Sequence, residues 1–217
     1  MNDFQMLSVL DDEQRRALLQ QARRRRFKRN EIVFHDGDPG DTVHLVTKGH
    51  FAIRIATPLG DVATVRVVGP GEHFGELAVL SPGPRAGTVV AYDAAETLSL
   101  SRDDFAELRR RSPRAEEMVV MALVTEVRRL AAALVDALYL PADRRVWRRL
   151  LELVRMFQGS DEPVIVPLIQ EDLAHLAGTG RPTVNRVLRS GEADGVLVLA
   201  RGRIEVIDVA ALERRAR

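Results

Sequence analysis

The chain has 217 residues, 46% of them hydrophobic, and a net charge of +1. That length suits one large domain or two small ones, and the apolar content is enough for packed cores. With no cysteine, disulfides, thiolate catalysis and cysteine-ligated zinc or iron–sulfur sites are excluded.

Leu10 to Arg25 reads as a short amphipathic helix, with Asp11 and Asp12 suited to its N-terminus. Arg23 to Arg26, with Lys28 and Arg29, form a basic run. It reads as a solvated helix end merging into a strand, since cations suit a helix C-terminus. From Arg26 to Ser101 the texture changes to short strands and turns. Thr42 to Val46, Phe51 to Ile55, Val62 to Val68, Val89 to Ala91 and Glu96 to Ser101 are strand candidates. His35–Asp41, Lys48–Gly49, Pro58–Gly60 and Gly69–Gly71 punctuate them. Many short strands with glycine turns predict an antiparallel jelly-roll barrel. His35, His44, His50 and His73 scatter through it without the His-x-His spacing that sets two ligands on one strand face, so no metal is expected. No nucleophile–base arrangement is legible, so the chain is not expected to be an enzyme.

Gly71 to Ala91 stands out from this texture. Phe74-Gly75-Glu76-Leu77 sets a flexible backbone beside a carboxylate, and Pro84-Arg85-Ala86 sets a guanidinium between a rigid and a small residue. A phosphate suits an arginine fork and free N–H groups at a short helix start; a ribose hydroxyl suits a carboxylate. The stretch resembles the phosphate-binding cassette of cyclic-nucleotide-binding domains, at the cassette's spacing from Glu76 to Arg85. The resemblance implies that the Gly75 amide and Arg85 hold a cyclic phosphate and Glu76 a ribose hydroxyl. Leu77, Ala78 and Ala86 complete the implied site, with Ala86 in the cAMP-preferring form. Gly37, Gly40 and Gly49 fall on the family's turn glycines. His73 beside the cassette leaves a haem ligand open, as in gas-sensing relatives, although a lone histidine is more often ordinary lining.

Asp103 to Arg110 predicts a short helix capped by Ser101 or Asp103. Ser112-Pro113 opens a longer one that runs to about Tyr139, with proline at a favoured first position. Val120, Leu123, Val127, Leu130, Leu134 and Ala137 recur at steps of three and four, a heptad seam that needs a partner. The resemblance implies a homodimer through this helix. In cAMP-activated relatives the helix also presents hydroxyl residues to the adenine. The matching positions here are Leu130 and Ala131, which cannot hydrogen-bond through their side chains. Pro141 stops the helix and makes Ala137 to Pro141 the candidate hinge.

Beyond it, Asp143 to Phe157 is amphipathic, with Val146, Leu150, Leu153, Val154 and Phe157 on one face. Arg144, Arg145, Arg148 and Arg149 lie on the others, either solvated or facing phosphates. Gly159 to Pro163 is a loop and Val164 to Val166 a short strand. Gln170 to Leu188 then has helix–turn–helix spacing about Ala177-Gly178-Thr179-Gly180, and Val196 to Ile207 reads as a hairpin. Bulk charge adds no support, since 13 Arg face 11 acidic residues from Tyr139 onward. This segment resembles the DNA-binding domain of Crp–Fnr regulators. The resemblance implies that Arg181, Pro182 and Arg186 face the groove, where arginine reads guanine bidentately. Gln170, Thr179, Thr183, Asn185 and Arg189, with Arg201 and Arg203 of the wing, complete the implied DNA surface.

The expectation is therefore an α+β chain with three parts. Residues 1–111 form a jelly-roll barrel that binds a cyclic nucleotide, cAMP favoured. Residues 112–140 form the dimerisation helix and hinge, and 141–217 a winged helix-turn-helix. Implied partners are a palindromic double-stranded DNA site, a second copy of the chain and RNA polymerase. No stretch of about 18 apolar residues and no signal-peptide start is legible, so no membrane association and a cytoplasmic location are expected. Constitutive DNA binding, or a sensor of haem or another ligand on the same scaffold, are the alternatives.

Overall fold

The computed structural model describes residues 4–57, 60–81, 83–158 and 163–217. Pro58 and Leu59 of one expected turn, Pro82 of the cassette stretch, and 159–162 of the expected loop lie outside them. The chain divides into two compact units, Met1–Ala56 with Arg66–Leu130, and Thr57–Val65 with Ala131–Arg217.

The first helix, α1 (Asp12–Gln21), starts at a capping box: Asp11 accepts from the Gln14 amide, and the Gln14 side chain accepts from the Asp11 amide. It ends four residues short of the expected Arg25. Arg23–Phe27 is instead a strand, β1, paired antiparallel with Ala95–Ser99. Arginine is a good helix former, so propensity favoured continuation. Pairing overrides it, and Arg24 and Arg26 both reach Glu96 across the pair, at 3.3 and 3.4 Å.

The strands that follow are β2 (Ile32–Phe34), β3 (Thr42–Lys48), β4 (Phe51–Ala56), β5 (Val62–Val68), β6 (His73–Phe74), β7 (Thr88–Ala91) and β8 (Ala95–Ser101). They make two four-stranded sheets, β1-β8-β3-β6 and β2-β7-β4-β5. Phe27, Val46 and Phe74 of the first sheet pack on Phe51, Val68 and Val89 of the second. The other face of β3 sends Val43 and Leu45 into a second cluster with Leu18, Phe105 and Met118. With both faces covered, β3 is buried from Val43 to Val46 without a polar alternation.

One short helix, α2 (Glu76–Leu80), interrupts the strands. After β8 come α3 (Arg102–Arg111), boxed by Ser101 and Asp104, and α4 (Pro113–Tyr139). In the first half of α4, Ala115, Met118 and Val119 are buried, while Val120, Leu123 and Val127 of the heptad seam are exposed.

In the second unit, α5 (Ala142–Phe157) buries Val146, Leu150, Leu153 and Val154. Phe157, expected on that face, is only half-buried. Strand β9 (Val164–Val166), helices α6 (Gln170–Ala177) and α7 (Arg181–Ala193), and strands β10 (Leu197–Ala200) and β11 (Arg203–Val206) follow. The sheet order is β10-β11-β9, so the expected hairpin is a wing that gains a third strand. A last helix, α8 (Val209–Ala216), has no counterpart in the sequence reading, although Asp208 caps it at the Ala211 amide. Gly191 on α7 lies against Trp147 of α5: a Cβ there would sit 2.6 Å from Cη2 of the indole.

Candidate ligand site and DNA-binding face

The cassette is built on backbone that side chains would obstruct. Gly75 begins α2 at φ +85°, and a Cβ there would meet Arg85 Nη1 at 2.8 Å. A Cβ on Gly40 would lie 2.2 Å from that of Ala78. These close approaches seat Arg85 in the barrel with 4% of its surface exposed. Nη1 donates to the carbonyls of Thr42 (2.7 Å) and Gly75 (3.1 Å), and Nη2 to Thr42 Oγ1 (2.8 Å). The guanidinium lies 4.0 Å from the centre of the Phe34 ring. Burial pulls its pKa below the usual arginine range, against the opposite pull of Asp41, Asp38 and Glu76. Among the described residues it has no carboxylate at ion-pair distance, and its Nε has no partner.

His44 stands next in the chain of contacts. It stacks on Phe74, with centroids 4.9 Å apart and planes 4° from parallel. Nδ1 lies 3.1 Å from Thr97 Oγ1, and Nε2 lies 3.4 Å from the Thr42 hydroxyl that already accepts from Arg85. Burial first, then the charges of Arg85 and Arg25, lower its pKa to about 3. The ring is therefore neutral.

Glu76 is half-buried, Leu77 and Ala86 are exposed, and Ala78 is buried. Glu76 and His73 line a cavity of about 290 Å³, closed on one side by α4 through Met121, Thr125, Glu126 and Arg129. Arg66 ties this wall together, donating to Glu72 at 2.7 Å and to Glu126 at 3.2 Å. Arg129 holds Glu126 from the next turn, at 2.6 and 2.9 Å. Leu130 and Ala131 are both exposed and neither lines this cavity. The polar residues that α4 presents to Glu76 are thus Thr125, Glu126 and Arg129. In the sequence, Thr125 and Arg129 stand only as polar neighbours offset from Leu130 and Ala131, and Glu126 carries no signal, because a mixed helix face has no periodicity.

Two histidines find other roles. His50 Nδ1 pairs with Asp93 at 2.8 Å. Burial lowers the pKa of His73, and Glu76 pulls the other way.

In the second unit, α7 buries Val184, Val187 and Leu188 and turns Pro182, Asn185, Arg186 and Arg189 outward. Gly178 closes α6 in the left-handed region, φ 57° and ψ 48°, which makes the tight turn possible. Thr183, Gln170 and Thr179 are half-buried, and Thr179 donates its amide to Ala174. Asn185 donates to Gln170 at 3.1 Å. Arg189 pairs with Glu192 and Arg203 with Glu205, each at 2.7 Å. Arg186 pairs with Asp143 of α5. Arg181, at the start of α7, and Arg201, at the wing turn, are exposed and form no ion pair among the described residues.

Arg144, Arg145, Arg148 and Arg149 of α5 all have partners within the second unit. Arg145 donates to the carbonyls of Ala177 (2.8 Å), Gly178 (2.9 Å) and Leu140 (2.9 Å). It therefore satisfies the carbonyl end of α6. Arg144 donates to the Arg215 carbonyl, Arg148 to Asp136 and Arg149 to Glu152.

Two family models match the chain: "Cyclic nucleotide-binding domain" over residues 24–112 and "Crp-like helix-turn-helix domain" over 144–215. A cyclic AMP receptor protein of Thermus thermophilus is 35% identical over 196 residues, covering 89% of this chain and 88% of that one. A CRP-like cAMP-activated global transcriptional regulator of Mycobacterium tuberculosis is 30% identical over 194 residues, covering 88% and 87%. The crystal structure of the Thermus thermophilus catabolite activator protein is similar at a TM-score of 0.57 and 33% identity, over 97% of each chain. Another Thermus thermophilus regulator of the CRP family superposes at 0.75 with 27% identity, over 88% of this chain and 96% of that one. A cyclic-nucleotide-binding domain ahead of a Crp-like helix-turn-helix, with relatives matched over most of their length, places this chain in the Crp–Fnr family of transcription regulators.

Proposed function

We propose that this regulator is switched by a cyclic nucleotide, with cAMP the favoured effector, and binds a palindromic DNA site as a homodimer. One observation carries the effector reading: Arg85 is a buried cation held only by neutral oxygens. A buried charge with no carboxylate at ion-pair distance is costly, so its surroundings favour an anion. The Gly75 turn and the half-buried Glu76 next to it suit a phosphate joined to a sugar hydroxyl. A phosphate that enters takes over donors now given to Thr42 and Gly75.

The exposed apolar seam of α4, from Val120 to Leu134, supports the dimer reading, because a solvated stripe of this kind is costly unless covered. Two-fold symmetry would then set the two recognition helices about one turn of DNA apart, roughly 34 Å. RNA polymerase as a partner and the cytoplasm as its place follow from regulation of transcription.

Isothermal titration of the full chain with cAMP and with cGMP tests the effector. Heat of binding with cAMP, at higher affinity than with cGMP, is expected; no heat and no thermal stabilisation with either would remove the sensor reading. Sedimentation tests the dimer. Wild type should run as two chains, and Leu130→Glu as one because it sets a charge in an apolar seam.

A further inference from the structure

In the free protein the guanidinium fork of Arg186 is occupied. Nη1 donates to Oδ2 of Asp143 at 3.0 Å, and Nη2 to Oδ1 at 2.5 Å. The carboxylate stands in the first turn of α5, and the guanidinium on the outward face of α7. This is the two-bond geometry with which arginine also grips O6 and N7 of a guanine, or two oxygens of a phosphate. One fork cannot serve both partners at once. We propose that Asp143 is a positioning residue that competes with DNA for Arg186, holding the fork on α5 until a DNA acceptor displaces it. The inference rests on the helix-turn-helix assignment and is independent of the effector.

Three features support it. First, Asp143 sits on a fixed backbone. Arg145, two residues on, is bonded to the Ala177 and Gly178 carbonyls of the turn. Release therefore needs only the Arg186 side chain to turn away. Second, the arginines of α7 are treated differently from one another. Arg181 is unpaired among the described residues, and Arg189 pairs within its own helix with Glu192. Only Arg186 is held by another element of the domain. Third, the magnitudes suit a competitor. The Asp143 and Arg186 side chains remain 45% and 64% exposed. An exposed pair changes an equilibrium by only about two- to fivefold, whereas a bidentate base contact is worth about five- to 150-fold. A correct contact overcomes the hold, and a poor one does not.

The test is a double-mutant cycle on the full chain. The probe is a duplex enriched from random DNA by the wild-type protein. Asp143→Asn should tighten binding by about two- to fivefold per recognition helix. In an Arg186→Ala background the same change should have no effect. Unchanged or weaker binding by Asp143→Asn overturns the proposal. So does an equal gain without Arg186, which would mark Asp143 as a general repeller of phosphates. Asp143→Ser, which also suits a first helical turn, guards against loss of fold and should give the same gain. In the free wild type, the Arg186 guanidinium should show slowed rotation about Nε–Cζ by NMR, and Asp143→Asn should release it; a freely rotating wild-type group overturns the hold.

Discussion

Arg85 in the barrel and Arg186 on the recognition helix are the same side chain in opposite electrostatic settings. Arg85 is 4% exposed, bonded to two carbonyls and a hydroxyl, with no carboxylate at ion-pair distance among the described residues. Arg186 lies in solvent and has a carboxylate on its fork. The barrel thus keeps a buried charge with no carboxylate at ion-pair distance among the described residues, while the outward face of the second unit keeps Arg186, Arg189 and Arg203 in exposed, weakly held pairs. A buried cation without a paired carboxylate suits a small anion that can reach it. Exposed, exchangeable cations suit a long polyanion, where many contacts add and each can be traded.

Salt separates these two designs most strongly. Arg189, Arg201 and Arg203 of both protomers, meeting phosphates, should make DNA affinity fall by about three orders of magnitude between 50 and 200 mM salt. Cyclic-nucleotide affinity should move by less than about threefold, because a buried pair is poorly screened. Parallel losses in the two titrations would abolish the distinction.

The next effect belongs to Arg85 alone. Arg85→Ala should weaken cyclic-nucleotide binding by about 1.5–3 kcal/mol, the worth of hydrogen bonds to a charged group, or roughly 10- to 150-fold. Titration calorimetry reads it, with thermal unfolding of the ligand-free variant as the check on fold. Unchanged affinity would detach the buried cation from ligand binding.

What the sequence made legible follows the same division. The Gly75–Arg85 cassette could be read because its residues and spacing along the chain resemble a known cassette, and its backbone demand proves local, a glycine at positive φ. The seam of α4 could be read because a heptad is a property of one helix. Other features depend on partners distant in sequence. The arginines of β1 look helical until Glu96 faces them, 70 or more residues away. Thr125, Glu126 and Arg129 gain meaning only when α4 lies over Glu76. Arg186 was legible as an outward residue, but its pairing with Asp143, 43 residues earlier, was not. The missed α8 is different: Asp208 was a readable cap, but a short helix after a hairpin carried too few apolar positions to mark a face.

The smallest predicted effect tests whether the barrel's charge arrangement depends on a neutral neighbour. His44 has a folded pKa of about 3 against an ordinary 6.5. Between those values the unfolded chain takes up a proton that the folded chain refuses, so stability falls as pH drops from 6.5 towards 3. Above 6.5 this contribution is level. One such group gives a slope of at most about 1.4 kcal/mol per pH unit. Urea unfolding followed by circular dichroism at pH 7, 6 and 5 should show that slope in the wild type and a shallower one in His44→Asn. The difference in slope is the readout, so a general loss of stability in the variant does not obscure it. Trp147, the chain's single tryptophan, lies in the second unit and reports on that unit. Its fluorescence transition should carry the His44 slope only if the two units unfold together. A slope that persists in His44→Asn would show that acid enters elsewhere, and that the hydrogen-bond chain from Arg85 through Thr42 does not require a neutral imidazole.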